Sequence, residues 1–334
     1  MHLLQKAILP LAGLFSFLQG GAAQTVDPRA RLEKFIDSTS LDREGVHPWH
    51  LRMSFQIYNL DGGRQETGTV EEWWASPTST KVVISSPSYK LVDGKPPTGR
   101  TAFLIRQLLD QVVHPIPRYG SFDGLEIKEA HRKFGGANLI CAQVIRPAKD
   151  GKSSPLSLAP EFCSEPDSDL LRVYFNDGEG LAIIRNKAGV FQGTNIAVDN
   201  IIGYGIGTAI TGHVDLLETI DSKGLPTDLA RPEPRFDVIP GIVTVGRILR
   251  HDPPNYPTGV AGRPQGSVVM CAIVAKDGKI TMVDTVATPD ADLTGAAIDA
   301  VKKWTYEPFL MNGQPVEVQT VITMSFSAGL VIRP

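Results

Sequence analysis

The chain has 334 residues, enough for two modest domains, and its hydrophobic fraction of 42% and charged fraction of 21% are ordinary for folded globular proteins. This composition excludes a disordered or fibrous protein. The formal net charge of −3 gives no reason to expect a nucleic-acid partner, because such binding needs a concentrated basic surface. The chain also lacks a Lys/Arg cluster that would hold it on an anionic membrane.

The N-terminus is typical of an export signal. Lys6 precedes an uncharged, largely apolar run from Ala7 to Leu18, and small residues follow at 20–23. This run is interrupted by Pro10 and is much shorter than the roughly 20 apolar residues of a membrane-spanning helix. We therefore predict that residues 1–23 are cleaved before Gln24, which gives a periplasmic or secreted protein. Anchoring in the membrane by an uncleaved segment is the alternative.

The region after the signal is predicted to be rich in antiparallel strands. Apolar residues at helical spacing predict a short helix over 27–41, and from Trp49 onward apolar and polar residues alternate, which indicates half-buried strands. A second helix is predicted over 102–113, ended by His114-Pro115. The predicted strands are 49–58, 67–74, 81–85, 89–92, 139–145, 170–175, 180–185, 190–192 and 195–202.

These elements predict an α+β protein in two parts. Residues 24–220 are expected to form one β-rich domain, an antiparallel sheet that is curved or partly closed into a half-barrel, with a helix against it. The prolines and mixed charges of residues 221–240 predict a stiff linker. Residues 241–334 form the predicted C-terminal domain.

The C-terminal domain is predicted to fold in the order ββαβ. Strands are expected over 266–275 and 280–286, joined by a tight turn at 276–279. A helix follows from about Asp292 with its apolar residues on one side, and a last strand runs through 316–326. The apolar residues of the helix are Leu293, Ala296, Ala297, Ala300, Val301 and Trp304.

Four segments of this domain carry a family resemblance. They are DPPNYP (252–257), GSVVMCAIVAKDGKI (266–280), LTGAAIDAVKKWTYEPF (293–309) and NGQPVEVQTVITMSF (312–326). Taken in this order, they make residues 241–326 resemble the C-terminal domain of TonB-family proteins, an envelope protein-interaction module. The resemblance implies structural roles for Tyr256, Trp304, Tyr306 and Pro308.

The resemblance also implies a kind of partner. In the TonB family, an inner-membrane helix anchors the protein to a proton-driven motor, a proline-rich spacer crosses the periplasm, and the C-terminal domain binds a short peptide of an outer-membrane transporter. Here a cleavable signal stands in place of the anchor, and a folded domain stands in place of the spacer. These departures argue against energy transduction and leave recognition of an envelope protein or peptide as the expectation.

Residues 46–220 show a second, looser resemblance. A strand-rich region behind a signal, with EEWWASP at 71–77, resembles the curved half-barrel of LolA-type lipoprotein carriers. This resemblance implies a concave apolar surface for a lipid or an acyl chain. A periplasmic carrier of lipids or lipoproteins is therefore the alternative function, from a different class.

No residue pattern argues for an enzyme, a cofactor or a metal. His47 and His50 have no further ligands at suitable spacing. Glu71 and Glu72 are adjacent on a predicted strand and so point to opposite faces, which favours a solvated strand edge over a carboxylate pair. GYGIGT at 203–208 lacks the Lys-Ser/Thr of a phosphate loop and is interpreted as a turn. A hydrolase hidden in the N-terminal domain is the third hypothesis.

The three cysteines are expected to differ in state. Cys141 and Cys163 lie close in sequence, whereas Cys271 stands apart. Export to an oxidising compartment makes a Cys141–Cys163 disulfide the natural prediction. Cys271, within an apolar strand, is predicted to be a buried free thiol.

The closing strand is the predicted partner-binding edge. A small sheet leaves backbone groups open at its edges, and residues 316–326 are rich in β-branched residues with only one charge, Glu317. An extended peptide could add to this strand through main-chain hydrogen bonds. The alternatives are that the upstream domain, or a second copy of the module in a homodimer, covers the edge. Residues 268–274 are apolar on both faces, which predicts a neighbour besides the helix. The edge candidates are Val318, Thr320, Val321, Ile322, Thr323 and Met324.

Overall fold

The computed structural model describes residues 27–43, 45–91, 96–116, 122, 124–145, 159–166, 168–177, 180–205, 207–230, 248–257, 264–311, 314–327 and 330–332. The predicted export signal and residues 231–240 of the predicted linker lie outside these ranges. Among the described residues, no helix combines the length and the apolar character needed to cross a bilayer.

In its described residues, the N-terminal region contains two helices and ten strands. They are α1 (Pro28–Thr39), β1 (Trp49–Tyr58), β2 (Arg64–Ser76), β3 (Ser79–Ser85), α2 (Arg100–Val113), β4 (Glu126–Phe134), β5 (Ala137–Ile145), β6 (Glu161–Ser164), β7 (Val173–Asn176), β8 (Leu181–Phe191), β9 (Thr194–Tyr204) and β10 (Gly207–Thr219). The strands form one curved antiparallel sheet in the order β3-β2-β1-β10-β9-β8-β7-β6-β5-β4, so β3 and β4 are its edges. This is the antiparallel sheet that the sequence predicts.

Both helices pack on the same face of the sheet, which we call the helix-bearing face. Leu51, Met53, Phe55 and Ile57 alternate along β1 and are buried against this side, as the period of two predicts. Helix α2 lies very close to β10. A Cβ atom at Gly212 would be 2.6 Å from Leu108 Cδ2, so glycine is what permits this approach.

Three strands, β4, β6 and β10, were missed by the sequence prediction for different reasons. Strand β4 reads EIKEAHRKF, with charges on both faces of an edge strand, so it shows little apolar alternation. Strand β6 has only four residues. Strand β10 contains Gly207 and Gly212, and glycine weakens the sequence signal of a strand.

Two further predictions for this region were wrong. Residues 89–91 are not a strand, because the Tyr89 backbone N–H donates to Ser86 Oγ in a local bend. Glu72 does not lie at a solvated edge, because it is completely buried on the same side of β2 as Val70 and Trp74. Glu71 does point the other way, as the alternation requires.

The first half of the predicted linker lies against the N-terminal sheet. Thr80 and Ala230 exchange two backbone hydrogen bonds of 2.9 and 3.0 Å. Lys81 forms an ion pair with Asp228 at 2.8 Å. Part of the β3 edge is therefore already occupied by the chain itself.

In the part of the C-terminal region that the structure describes, there are one helix and eight short or medium strands. They are β11 (Ile248–Arg250), β12 (Gly266–Val274), β13 (Ile280–Ala287), α3 (Ala291–Val301), β14 (Thr305–Tyr306), β15 (Leu310–Met311), β16 (Gln314–Pro315), β17 (Val318–Ser327) and β18 (Leu330–Ile332). The main sheet has the order β13-β12-β17-β18. The ββαβ order is confirmed, and the apolar stripe of α3 packs as predicted into a second core.

The strand that is apolar on both faces lies between two cores. Val268, Met270, Ala272 and Val274 of β12 face α3. Val269 and Cys271 instead join the core of the N-terminal sheet. The predicted additional neighbour is thus the N-terminal region, which covers the face of the small sheet opposite α3.

Candidate functional site

The last long strand, β17, is paired along its whole length on one side only. Its residues from Val318 to Phe326 lie opposite Val274 to Gly266 of β12. On the other side, β18 pairs only with Ser325, Phe326 and Ser327. Within the described part of the chain, no strand pairs with β17 on this outer side between Val318 and Met324.

The pairing pattern tells which backbone groups point outward. The Ala275 backbone N–H donates to the Lys279 carbonyl at 2.8 Å, so Ala275 faces β13 and the preceding residue, Val274, faces β17. Val318 lies opposite Val274 and therefore directs its N–H and C=O groups toward β12. Because the orientation alternates, the N–H and C=O groups of Thr323, Val321 and Gln319 point away from β12. We call the outward backbone of these three residues the docking edge.

The sequence-predicted edge residues divide accordingly. Val321 and Thr323 present backbone groups on the docking edge. Val318, Thr320, Ile322 and Met324 direct theirs toward β12. Gln319, which was not among the predicted residues, belongs to the docking edge. Period-two alternation could have found it once the orientation of one neighbour was known.

Three other strand edges carry features that limit pairing with a further strand, at least along part of their length. Strand β4 carries charged side chains along most of its length, and charges discourage edge-to-edge pairing. The start of β3 is bridged by Ala230. At β13, the carbonyl of Val286 accepts a 3.1 Å hydrogen bond from Arg100 Nε. Among the residues that the structure describes, none of these features is found on the docking edge between Val318 and Met324.

The side chains of the docking edge face the N-terminal region. Val321 packs against the core that contains α2. Gln319 Oε1 accepts a 2.6 Å hydrogen bond from the Arg106 guanidinium, which projects from α2. Gln319 Nε2 and Thr323 Oγ1 are buried, and neither has a hydrogen-bond partner among the described residues. The edge is therefore lined by side chains of both regions.

A carboxylate of the small sheet also caps helix α2. The N-cap residue of α2 is Gly99, which has no side chain to accept a bond. Asp284 Oδ2 of β13 accepts a 2.7 Å bond from the Arg100 backbone N–H instead. Burial lowers the pKa of Arg100, and the nearby Asp284 carboxylate opposes that shift. A backbone N–H donor in the first turn of α2 is thus satisfied by a residue of the small sheet.

The residues of the Trp-x-Tyr-x-Pro segment support the small sheet. Trp304 is buried, and its Nε1–H donates to the Asp252 carbonyl at 2.8 Å. Tyr306 is buried, which raises its pKa to about 12. Tyr256 Oη donates to the Pro264 carbonyl at 2.8 Å, and Pro308 is half-buried.

The cysteines are in the states that the sequence predicts. Cys141 and Cys163 face each other across β5 and β6 and form a disulfide. Cys271 is a buried free thiol at the boundary of the two regions. Burial, and secondarily the neighbouring Asp284, raises the pKa of this thiol to about 12, so the thiolate needed for reaction is scarce near neutral pH.

The helix-bearing face is packed closely where an acyl chain would have to lie. Large side chains of α1 and α2, such as Phe35, Leu104 and Leu108, are completely buried there. A cavity of about 10 Å³ between Thr39 and Arg185 has room for about one water molecule. Burial, and secondarily the nearby Arg172, lowers the pKa of Arg185 to about 9.

On the opposite face, the histidine and tryptophan near the start of the sheet form a polar surface cluster. His50 Nε2 lies 2.9 Å from Glu71 Oε2, and His50 Nδ1 lies 3.3 Å from Glu218 Oε1. The His50 ring stacks on Trp73 with centroids 4.6 Å apart. Trp74 is buried on the helix-bearing side, so the two tryptophans divide into one core residue and one at the rim.

Comparison with known protein families confirms the resemblance of the C-terminal module. Residues 252–328 match the family described as Gram-negative bacterial TonB protein C-terminal. The matched segment includes α3, β12, β13 and the whole of β17. No curated protein matches the chain.

Several solved structures are similar to this chain over 60% of its length and 96% of theirs. A LolA superfamily protein from Nitrosomonas europaea is 9% identical with a TM-score of 0.37. A putative outer membrane lipoprotein-sorting protein domain from Vibrio parahaemolyticus is 9% identical with a TM-score of 0.35. A DUF1329 family protein from Desulfovibrio piger is 12% identical with a TM-score of 0.37. Similarities with TM-scores this low assign neither a family nor a function to this chain.

Proposed function

We propose that this chain is an exported envelope protein whose TonB-like module recognises a protein or peptide partner by strand addition at the docking edge. The observation that carries the proposal is that no described strand pairs with the outer side of β17 between Val318 and Met324. In contrast, β4 is charged, the start of β3 is bridged by Ala230, and the Val286 carbonyl of β13 is hydrogen-bonded to Arg100. Three successive outward positions offer main-chain donors and acceptors that an extended peptide can pair with. The match of residues 252–328 to the TonB C-terminal family supports an envelope role.

The expected partner is a short extended segment, such as one carried by an outer-membrane transporter. Strand addition draws its affinity from main-chain hydrogen bonds and its selectivity from alternate side chains. The N-terminal region acts as a support in this proposal. It buries the second face of the small sheet through Val269 and Cys271, and this packing holds β17 in place for pairing.

Proline scanning along β17 tests the proposal. Thr323→Pro and Val321→Pro each remove an outward N–H donor, so each is expected to abolish binding of a partner captured from Gram-negative envelope extract by the wild-type protein. Ser325→Pro is the matched control. It lies on the same strand with the same orientation, but its backbone already pairs with Ile332 of β18, so it should retain binding.

Loss of binding is informative only if the proline variants still fold. Each variant is included only if its circular dichroism spectrum and thermal transition resemble those of the wild type. Full capture by folded Thr323→Pro and Val321→Pro proteins would rule out the docking edge. Hydrogen exchange gives a second measure, since partner binding should slow exchange of the Val321 and Thr323 amides and leave that of Ser325 unchanged.

A carrier of lipids or lipoproteins is the competing function. It would require α1 or α2 to move, because Leu104, Leu108 and Phe35 fill the helix-bearing face. A lipid extract of the purified protein distinguishes the two functions. Stoichiometric bound lipid, with no partner whose capture depends on Thr323, would replace the strand-addition proposal by the carrier.

A further inference from the structure

The docking edge carries a group of hydrogen-bond donors contributed by both regions of the chain. Arg106 extends from α2 and donates to Gln319 Oε1 at 2.6 Å. Gln319 Nε2 is buried without a partner in the described part of the chain, as is Thr323 Oγ1 on the same face of β17. Two of these groups are donors only, and the hydroxyl can donate as well.

The charge of Arg106 is not neutralised within the described residues. No described carboxylate forms an ion pair with its guanidinium, whereas Arg100 of the same helix lies near Asp284. A guanidinium stays protonated and presents five N–H donors in a planar fork, of which a carboxylate can accept two. Buried donors without acceptors are costly, so an acceptor supplied from outside would be favoured here.

An added strand would place side chains within reach of this group. Neighbouring strands lie about 4.8 Å apart, and directly opposite side chains on the same face are about 5 Å apart. A peptide residue opposite Gln319 that points toward α2 would therefore meet Gln319 Nε2 and the Arg106 guanidinium together. The adjoining Val321 is apolar and packs on the N-terminal core, so it separates Arg106 and Gln319 from Thr323 Oγ1.

We infer that the partner peptide carries an acidic side chain, aspartate or glutamate, whose carboxylate binds Arg106 and Gln319. The inference rests on the proposed strand addition and adds a specificity determinant to it. That determinant comes from the N-terminal region, so the recognition site is complete only when both regions are present. An acidic peptide is also the class that charge complementarity with Arg106 selects.

Selection from a phage-displayed library of random octapeptides on the purified full-length protein tests this inference. The selected peptides should be extended β-type sequences with one position enriched in Asp or Glu. Selection on an Arg106→Glu protein should lose that enrichment or replace it with Lys or Arg. Lys302→Glu is the matched control, since it makes the same charge change at the exposed residue that follows α3, and it should leave the acidic enrichment intact.

A double-mutant cycle then assigns the contact. The best selected peptide and its Glu→Gln form are titrated against wild-type, Arg106→Gln and Lys302→Gln proteins by calorimetry. The peptide change should weaken binding about tenfold to the wild type and to Lys302→Gln, as expected for loss of a charge-assisted bond at a half-buried site. The same change should have little effect on binding to Arg106→Gln.

The results of the selection distinguish a failure of the acidic-partner inference from a failure of strand addition. If peptides bind in a Thr323-dependent way but show no acidic enrichment, or show the same enrichment on Arg106→Glu, the acidic-partner inference is wrong and strand addition stands. If no selected peptide depends on Thr323, strand addition at this edge is wrong and the inference falls with it.

Discussion

The large N-terminal sheet and the small C-terminal sheet differ in the charge and the pairing of the strands at their edges. The outer strand β4 is lined with charges, and the start of β3 is bridged by Ala230. Strand β17 is β-branched, almost uncharged and paired on its outer side only at its end. An exposed edge of this kind is a liability for a stable protein. Beyond the Ala230 bridge, β3 also has an outer side that is unpaired among the described residues, with exposed Val82 and Val83. The clear contrast is therefore between the charged edge β4 and the almost uncharged edge β17.

The two sheets also differ in the contacts that stabilise them. The N-terminal sheet has its own helices and a disulfide between β5 and β6. The C-terminal sheet packs α3 on one face and depends on the N-terminal region for the other. The small sheet is therefore expected to lose order when that contact is disturbed, while the large sheet has internal support. The predictions that follow test this contrast, beginning with the largest effect.

Substitution of a turn glycine should affect the two sheets very differently. Gly278 has φ +81°, and a Cβ added there would lie 1.8 Å from the Tyr306 carbonyl oxygen. Gly278→Ala should lower the free energy of unfolding of the small sheet by more than about 3 kcal/mol, because backbone must move. Gly62 has φ +87° with nothing within 4 Å of such an atom. Gly62→Ala should cost only about 1 kcal/mol from backbone conformation.

Chemical denaturation of the two variants provides the comparison. Equal losses for Gly278→Ala and Gly62→Ala would contradict the close approach at Tyr306. The sequence alone gives both positions the same Asp-Gly turn signature. The two positions differ because residues 305–306 pack against the turn that contains Gly278. The Tyr306 backbone N–H donates to the Gly278 carbonyl at 2.8 Å, and this close approach requires glycine at 278.

This pair shows how far the sequence could predict the molecule. Elements with a strong period, such as β1, α2 and α3, were predicted within a few residues, because one buried face leaves a clear pattern. Strands β4 and β10 were missed because charges or glycines hide that pattern. The buried Glu72 was also missed, since a carboxylate normally indicates solvent.

The candidate site was predictable in part for a similar reason. The β-branched, weakly charged composition of β17 indicated an edge strand, and Val321 and Thr323 were named from it. The contribution of Arg106 could not be predicted, because it comes from a helix more than 200 residues away in sequence. No local pattern indicates which side chains two separately folded regions bring together.

Removal of the disulfide should be the next largest effect, and it should fall on the large sheet. Cys141 and Cys163 close a loop with a sequence separation of 22. Chain-entropy arguments give a loop of this size about 3 kcal/mol of stability. A Cys141→Ser/Cys163→Ser protein should therefore unfold at lower denaturant concentration by that amount.

The location of the loss can be tested by hydrogen exchange. Amides of β5 and β6 should lose protection, while those of β12 and β17 keep theirs. The same loss of protection in both sheets would mean that the small sheet depends on the integrity of the N-terminal edge. Reduction of the wild-type protein with dithiothreitol is the control and should reproduce the double substitution.

Alkaline pH should weaken the small sheet in particular. Burial raises the pKa of Cys271 and of Tyr306 to about 12, from ordinary values of 9.0 and 10.0. Between these values the unfolded chain releases the protons that the folded chain keeps. The unfolded state then binds fewer protons, so the free energy of unfolding falls as pH rises from about 9 to 12.

Substitution of Tyr306 and Cys271 tests whether these two groups cause the fall in the free energy of unfolding. Tyr306→Phe and Cys271→Ala should each make the stability of the protein less sensitive to pH in this range, whatever their effect at pH 7. An unchanged pH dependence in the double variant would contradict the assignment. Below pH 8 neither group should contribute, because both stay protonated in the folded and unfolded chains.

The smallest expected loss of stability comes from removing either of two helix caps. Helix α3 is capped within its own region, since Asp290 Oδ1 accepts from the backbone N–H groups of Asp292 and Leu293 at 2.9 and 3.1 Å. Helix α2 is capped from the other sheet by Asp284, whose Oδ2 accepts from Arg100 N at 2.7 Å. Loss of such a cap typically costs about 1 kcal/mol, so Asp290→Ala and Asp284→Ala should lower stability by similar amounts.

The two substitutions should nevertheless differ in cooperativity. Asp290→Ala weakens a helix that lies inside one core, so the protein should still unfold as the wild type does. Asp284→Ala removes a bond between the regions and also the carboxylate that opposes the effect of burial on the pKa of Arg100, which weakens the contact itself. Calorimetry should then show the small sheet melting before the large one. Identical unfolding profiles for the two variants would mean that the apolar contacts of Val269, Cys271 and Val321 couple the regions without help from the cap.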